Sequence, residues 1–195
     1  MRMLIGLCCF SGLIWAQNPL MEARSNICDK NYGAAKSVLE GYLATDPGNQ
    51  EAQLLLVSTL CYMKQQSTAK QFAAQKAGTS TLLEAQVALF ERKVPEAKKL
   101  LEARLGKEDD YLARYLLGYA LVLERKSDDA LVQLKRAYAL NNRHAETLFL
   151  LGDLYRAKDQ VTEVATYWTA YLEVVPGNNG CTSYVRDYLK RAGGQ

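Results

Sequence analysis

Between Tyr111 and Leu140 the apolar positions fall at helical spacing, in two successive runs. "YLLGYALVL", from Tyr115 to Leu123, is apolar on nearly every side of a helix, and "RKSDD" then interrupts it. Apolar residues return every three or four positions up to Leu140, where "NNR" ends the run. The pattern predicts two helices, Asp110–Glu124 and Asp128–Leu140, joined by a tight turn. It then begins again. Ala130 stands twelve residues after Gly118, and Val164 stands twelve after Gly152. Earlier in the chain, Ala85 with Ala97, Val57 with Ala69 and Ala23 with Ala35 keep the same interval. The five anchors Ala23, Val57, Ala85, Gly118 and Gly152 are therefore spaced by 34, 28, 33 and 34 residues. A period of this size predicts stacked helix pairs, with a shortened second unit.

The breaks agree with that division. "CDKNYGA", "KQQSTA", "ERKVPE" and "AKDQVTE" each fall between two helical runs. Pro95 suits the first turn of a second helix, where its missing N–H costs nothing. Thr81 with Glu84 forms a candidate capping box. "DPGN" at Asp46–Asn49 and "PGNNG" at Pro176–Gly180 hold equivalent places in the first and last units, and both terminate helices. The units expected are 17–49, 50–77, 78–110, 111–144 and 145–179. Residues 180–195 form one more amphipathic helix and a tail. Tyr184, Val185, Tyr188 and Leu189 lie on its apolar face, which suits a cap on the last unit better than a membrane-surface helix.

These motifs resemble those of the tetratricopeptide repeat family. In the last unit the run is Leu148-x-x-Leu151-Gly152-x-x-Tyr155, followed by Trp168 and Pro176. The fourth gives Leu117-Gly118-x-x-Leu121, Ala130, Leu134 and Ala137. The resemblance runs from about Asn18 to Asn179 and is weakest in the first two units. It implies an all-α, right-handed superhelical stack of antiparallel helix pairs with a C-terminal capping helix. Residues at −3, +1 and +4 from each anchor share a side, about 40–100° round from the partner helix. In the family that side lines a concave groove. Here it carries Leu82, Gln86 and Leu89 in the third unit, Tyr115, Tyr119 and Val122 in the fourth, and Phe149, Asp153 and Arg156 in the fifth. Some family members hold a peptide's terminal carboxylate with Lys, Asn and Arg in this groove. The residues here are mainly Leu, Tyr, Gln and Phe, which suit an amphipathic helix or an extended apolar peptide instead. The alternative is a groove filled by the chain's own first unit or cap.

Composition changes this picture little. Of 195 residues, 24 are Lys or Arg and 21 Asp or Glu, a formal charge of +3. That balance lacks the basic footprint of a nucleic-acid binder. The N-terminal "MRMLIGLCCFSGLIWAQ" adds something new: one positive charge, then an uncharged stretch from Met3 to Ala16. Fourteen residues reach about 21 Å as a helix, short of a hydrocarbon core of about 30 Å. We expect residues 1–16 to be a signal peptide, leaving Gln17 as the mature N-terminus and no membrane span. An uncleaved anchor or a buried N-terminal helix is the alternative.

No catalytic chemistry is legible. H-E-x-x-H, G-x-S-x-G, a phosphate loop and an EF-hand loop do not occur in the sequence. His144, the one histidine, sits in the turn "NNRHAE" and is expected to be solvated. No cofactor or metal is expected. Cys28 and Cys61 occupy nearly equivalent places in adjacent units and are the candidate pair for a disulfide, at marginal distance for packed helices. Cys181 would then stay free or serve an external partner. The sequence thus describes an exported, non-enzymatic adaptor that binds a protein or peptide. In the family, proteins of this layout assist envelope, pilus or secretion assembly. The competing class is an accessory module of an envelope enzyme, or a small envelope enzyme with an unrecognised site.

Overall fold

The computed structural model describes residues 18–76, 79–175 and 177–193. The expected signal peptide lies outside the described residues. Eleven helices follow one another among the described residues: α1 (Pro19–Cys28), α2 (Tyr32–Thr45), α3 (Gln50–Tyr62), α4 (Gln66–Ala74), α5 (Ser80–Phe90), α6 (Val94–Leu105), α7 (Tyr111–Leu123), α8 (Ser127–Leu140), α9 (Ala145–Arg156), α10 (Val161–Val174) and α11 (Gly180–Ala192). They form an all-α solenoid of antiparallel pairs, α1/α2 through α9/α10, followed by a distinct C-terminal helix. Each pair packs on the next through its second helix.

The small anchors explain how each pair closes. Ala23, Val57 and Ala85, and the five twelve-residue partners Ala35, Ala69, Ala97, Ala130 and Val164, are fully buried. At Gly118 a Cβ would come within 2.7 Å of Leu134 Cγ, and at Gly152 it would run into the Trp168 ring. The missing methyls let bulky partners fill the space between the paired helices. Trp168 is completely buried there, with its indole N–H donating to the Phe149 carbonyl at 3.1 Å.

A second periodicity lies in the turns. Lys30, Lys64, Arg92, Arg125 and Asp159 all have positive φ, between 56° and 62°. Each stands seven residues after an anchor. In every case the next residue's N–H reaches back five residues, as in Gln65 to the Leu60 carbonyl and Lys126 to the Leu121 carbonyl. That is the Schellman ending of a helix, built here without glycine.

Caps follow the same local logic. Asp110, Asn49 and Asn179 accept backbone N–H groups at the starts of α7, α3 and α11, and Pro95 lies in the first turn of α6. The box expected at Thr81–Glu84 does not form. Helix α5 starts earlier, at Ser80, and its N-cap Thr79 commits its hydroxyl to Gln53 Oε1 at 2.7 Å. A capping box appears instead between Asn179 and Thr182.

From the second pair onward the first helix is enclosed more fully than the second. Helix α3 has nine buried residues and α7 has seven, whereas α4 has two and α6 two. The odd-numbered helices pack against one another as well as against their partners, which accounts for "YLLGYALVL". Helix α11 covers Trp168 with Tyr184, Val185 and Tyr188, and it also reaches α1. The last helix thus returns to the first.

Candidate functional site

Arg24 stands one residue after the first anchor, on the side of α1 turned toward the other odd-numbered helices. Its Nε donates to Glu146 Oε1 at 2.7 Å, and its Nη2 donates to Glu146 Oε2 at 3.0 Å and to Glu51 Oε2 at 3.1 Å. One guanidinium thus ties α1 to both α3 and α9. Glu51 accepts a further hydrogen bond from the Tyr111 hydroxyl at 2.6 Å. His144 Nε2 lies 3.1 Å from Glu146 Oε2, and its Nδ1 lies 2.7 Å from Thr147 Oγ1.

His144 is therefore not the solvated turn residue expected from its sequence setting. It is 3% exposed, with the rings of Tyr111 and Tyr115 packed edge-on against it. Burial alone would raise the Glu146 carboxyl. Arg24 and His144 more than reverse this and hold it well below the usual carboxylate range. For Arg24, burial disfavours the charge, but Glu146 and Glu51 overcome it and keep the guanidinium charged.

Above this network opens a pocket of about 340 Å³. Its lining combines Arg24, Glu146, Ser58 and Gln86 with Leu55, Phe149, Tyr115 and Tyr171. Tyr62, which is 47% exposed, stands at the mouth beside Phe90 and stacked on Tyr32. A smaller recess of about 30 Å³ shares part of this lining, between Gln86, Ser58 and the charged network.

The predicted groove residues divide in this setting. Gln86, Tyr115, Tyr119 and Phe149 line the pocket. Leu82 and Leu89 do not meet solvent at all, at 0% and 1% exposure, so they belong to the core rather than to a groove. Val122 packs partly buried against that core. Asp153 and Arg156 pair with each other at 2.8 Å, away from the pocket lining.

The mismatch has a geometric cause. The pocket takes residues mainly at +1, +5 and −2 from the anchors: Arg24, Gln86 and Tyr119; Cys28, Tyr62 and Phe90; Leu55 and Leu150. That stripe is about 60° further round the helix than the −3, +1, +4 stripe. Sequence reasoning missed Arg24, Glu146 and the +5 aromatics. The available signal was an arginine at an anchor's +1 position in an otherwise apolar stripe.

The cysteines also depart from expectation. Cys28 is bonded to Cys181, not to Cys61, with Cα atoms 5.5 Å apart. Cys61 is free and buried. Cys28 sits at +5 from its anchor and Cys61 at +4, a difference of about 100° around the helix. Cys28 therefore faces the pocket and Cys61 faces the core, where burial pushes its thiol up to about 11. Both Cys28 and Cys181 line the pocket, and Gly180 N–H donates to Asp29 Oδ1 at 2.8 Å beside them.

Among the described residues, no group of three or more His, Cys, Asp or Glu side chains is placed to hold a metal ion. No helix among them is long and apolar enough to cross a membrane.

No protein-family model matches the chain, and no curated protein matches it in sequence. Solved structures do resemble it. A tetratricopeptide repeat protein from Parabacteroides merdae superposes with a TM-score of 0.62 at 14% identity, over 91% of this chain and 72% of that one. A thermophilic tetratricopeptide repeat protein of Thermus thermophilus gives 0.59 at 19% identity, over 92% and 99%. PilW, described as a widely conserved type IV pilus biogenesis factor, gives 0.56 at 17% identity, over 90% and 84%. At these identities the likeness establishes the fold: a solenoid of tetratricopeptide-like repeats.

Proposed function

We propose that this protein is a non-enzymatic, exported adaptor that takes a segment of a partner polypeptide into the pocket between its odd-numbered helices. The observation that carries this reading is the pocket itself, about 340 Å³ in volume and lined by aromatic and aliphatic side chains. Large rings with polar tips give contact area at little entropic cost, as binding sites require. The space suits side-chain anchors of an extended segment better than a whole helix, whose diameter is about 10–12 Å. The array is drawn in around it by Arg24 and by the Cys28–Cys181 bond.

Export is supported by the short apolar N-terminal stretch and by the disulfide, which persists in oxidising compartments. The pilus biogenesis factor that the fold resembles directs the proposal toward assembly work in the cell envelope. A photo-crosslinking residue at Tyr119, compared with one at the exposed outer position Val132, tests the reading in the native envelope. A partner crosslinked from 119 and not from 132 supports it. Equal labelling from both positions, or none from 119, overturns it.

A further inference from the structure

We infer that the pocket selects a lysine side chain, received ammonium first; the inference rests on the adaptor reading and names the chemistry of the occupant. Three observations converge on it. The first is a charge imbalance. Two carboxylates, Glu146 and Glu51, share the single guanidinium of Arg24. Glu146 and Arg24 are the charged residues of the pocket lining. With a neutral His144 ring, Nε2–H donating to Glu146 and Nδ1 accepting from the Thr147 hydroxyl, the two carboxylates and one guanidinium leave one net negative charge. The guanidinium repels an incoming cation, but the two carboxylates outweigh it.

The second observation is an unpartnered acceptor. Gln86 lines the pocket, is 7% exposed, and its Oε1 has no hydrogen-bond partner. The amide orientation follows from the Ser58 hydroxyl. Ser58 gives its hydroxyl proton to the Leu54 carbonyl at 2.9 Å and so accepts the Gln86 Nε2–H at 2.8 Å. A buried carbonyl oxygen left unpaired is destabilising, a penalty that an N–H donor in the pocket would remove. The third is the set of rings. Tyr62, Phe90, Tyr115, Tyr119, Phe149 and Tyr171 surround the same space, and aromatic faces attract a desolvating cation.

The geometry separates lysine from arginine. A guanidinium seeks a carboxylate with both oxygens open to it. Glu146 already has both oxygens engaged by Arg24. A compact ammonium on an apolar stem meets its acceptors one at a time, so its three N–H donors can use Gln86 Oε1, a remaining lone pair of Glu146 and the ring faces, with room for its methylenes.

Ligand-observed NMR with the full chain tests the proposal. The probes are Nα-acetyl-lysine methylamide, its Nε-acetylated neutral form, and Nα-acetyl-glutamate methylamide. The lysine probe is expected to bind at least about tenfold more tightly than the neutral form, with the glutamate probe weakest. Gln86→Leu and, separately, Tyr62→Ala at the exposed rim should each reduce that preference by about threefold or more. Should Gln86→Leu fail to fold, the Tyr62→Ala variant carries the test alone. Equal binding of the three probes, no binding of any, or an unchanged preference in the folded variants overturns the inference. A partner crosslinked from position 119 without any lysine preference defeats this inference and leaves the adaptor reading standing. A lysine preference with no crosslinked partner does the reverse.

Discussion

Cys28 on α1 and Cys181 on α11 are covalently joined across 153 residues of sequence. A stacked array ordinarily contacts only its nearest neighbours, so its two ends unfold independently of one another. Here the bond and the adjoining Gly180–Asp29 hydrogen bond link those ends. Closing so long a loop restricts the unfolded chain most, by about 5 kcal/mol on the chain-entropy account, with typical measured effects of about 2–4 kcal/mol. Reduction, or Cys28→Ser, should therefore lower the unfolding free energy by about 2–5 kcal/mol. Peptide mapping without reductant should recover Cys28 linked to Cys181, with Cys61 unreactive until the chain unfolds. A Cys28–Cys61 peptide would contradict the assignment.

Breaking the Arg24 network should be costly and should change the acid limb of stability. The Glu146 carboxyl is held well below its ordinary value of 4.5 in the folded state. Its contribution is thus fully present above that value and is lost as pH falls through the depressed one. Glu146→Gln should cost about 3–5 kcal/mol at neutral pH, since it removes one partner of a buried pair. It should also flatten the decline below about pH 4.5. Denaturant titrations at several pH values measure both effects, and parallel acid limbs in the two proteins would contradict the prediction.

Two glycine-to-alanine changes should have opposite signs. Gly152→Ala pushes a methyl into the Trp168 ring, and overpacking of this kind costs about 1–3 kcal/mol. Gly41 lies inside α2 with nothing within 4 Å of its would-be Cβ. Gly41→Ala should stabilise by about 0.5–1 kcal/mol through helix propensity. Thermal unfolding of the two variants decides the matter.

The five left-handed turn residues offer a route to a more stable chain. A side chain at positive φ costs about 1–2 kcal/mol, part of which glycine recovers against its greater freedom when unfolded. Lys64→Gly and Arg125→Gly should each raise stability by about 0.5–1 kcal/mol, additively because the turns are separate. A combined variant with an unchanged melting temperature would speak against the turn geometry.

Tyr115 and Tyr119 should separate stability from binding. The Tyr115 ring packs on His144 with centroids 5.0 Å apart, and its burial raises the phenol well above its usual range. Tyr115 is partly buried, so Tyr115→Ala should lose about 1–3 kcal/mol of stability with the lost ring packing. Tyr119 is partly buried at the pocket like Tyr115, but the ring contact with His144 belongs to Tyr115. Tyr119→Ala should leave the melting temperature nearly unchanged and weaken partner capture. Equal melting shifts in the two variants would rule out this division.

The sequence by itself determined the repeat. The twelve-residue interval between small residues, the apolar runs and the turn breaks are local signals, because each unit's helix pair is closed by contacts within about 34 residues. The positive-φ positions Lys30, Lys64, Arg92, Arg125 and Asp159 keep the intervals of the anchors, so the backbone follows the register that side-chain size had set. Charged residues hold those five positions, so composition gave no hint of them.

Only the tertiary structure decided what the concave side became. The direction a helix presents to the centre depends on small rotations between neighbouring units, and these accumulate along the stack. A shift of about 60° moved Tyr62 and Phe90 into the pocket and Leu89 into the core. The same accumulated curvature brought α11 back to α1 and chose Cys181 over Cys61 as the partner of Cys28. It also carried Arg24 to Glu146, 122 residues away in sequence. No local pattern encodes such a meeting, because the two ends find one another only after every intervening unit has packed.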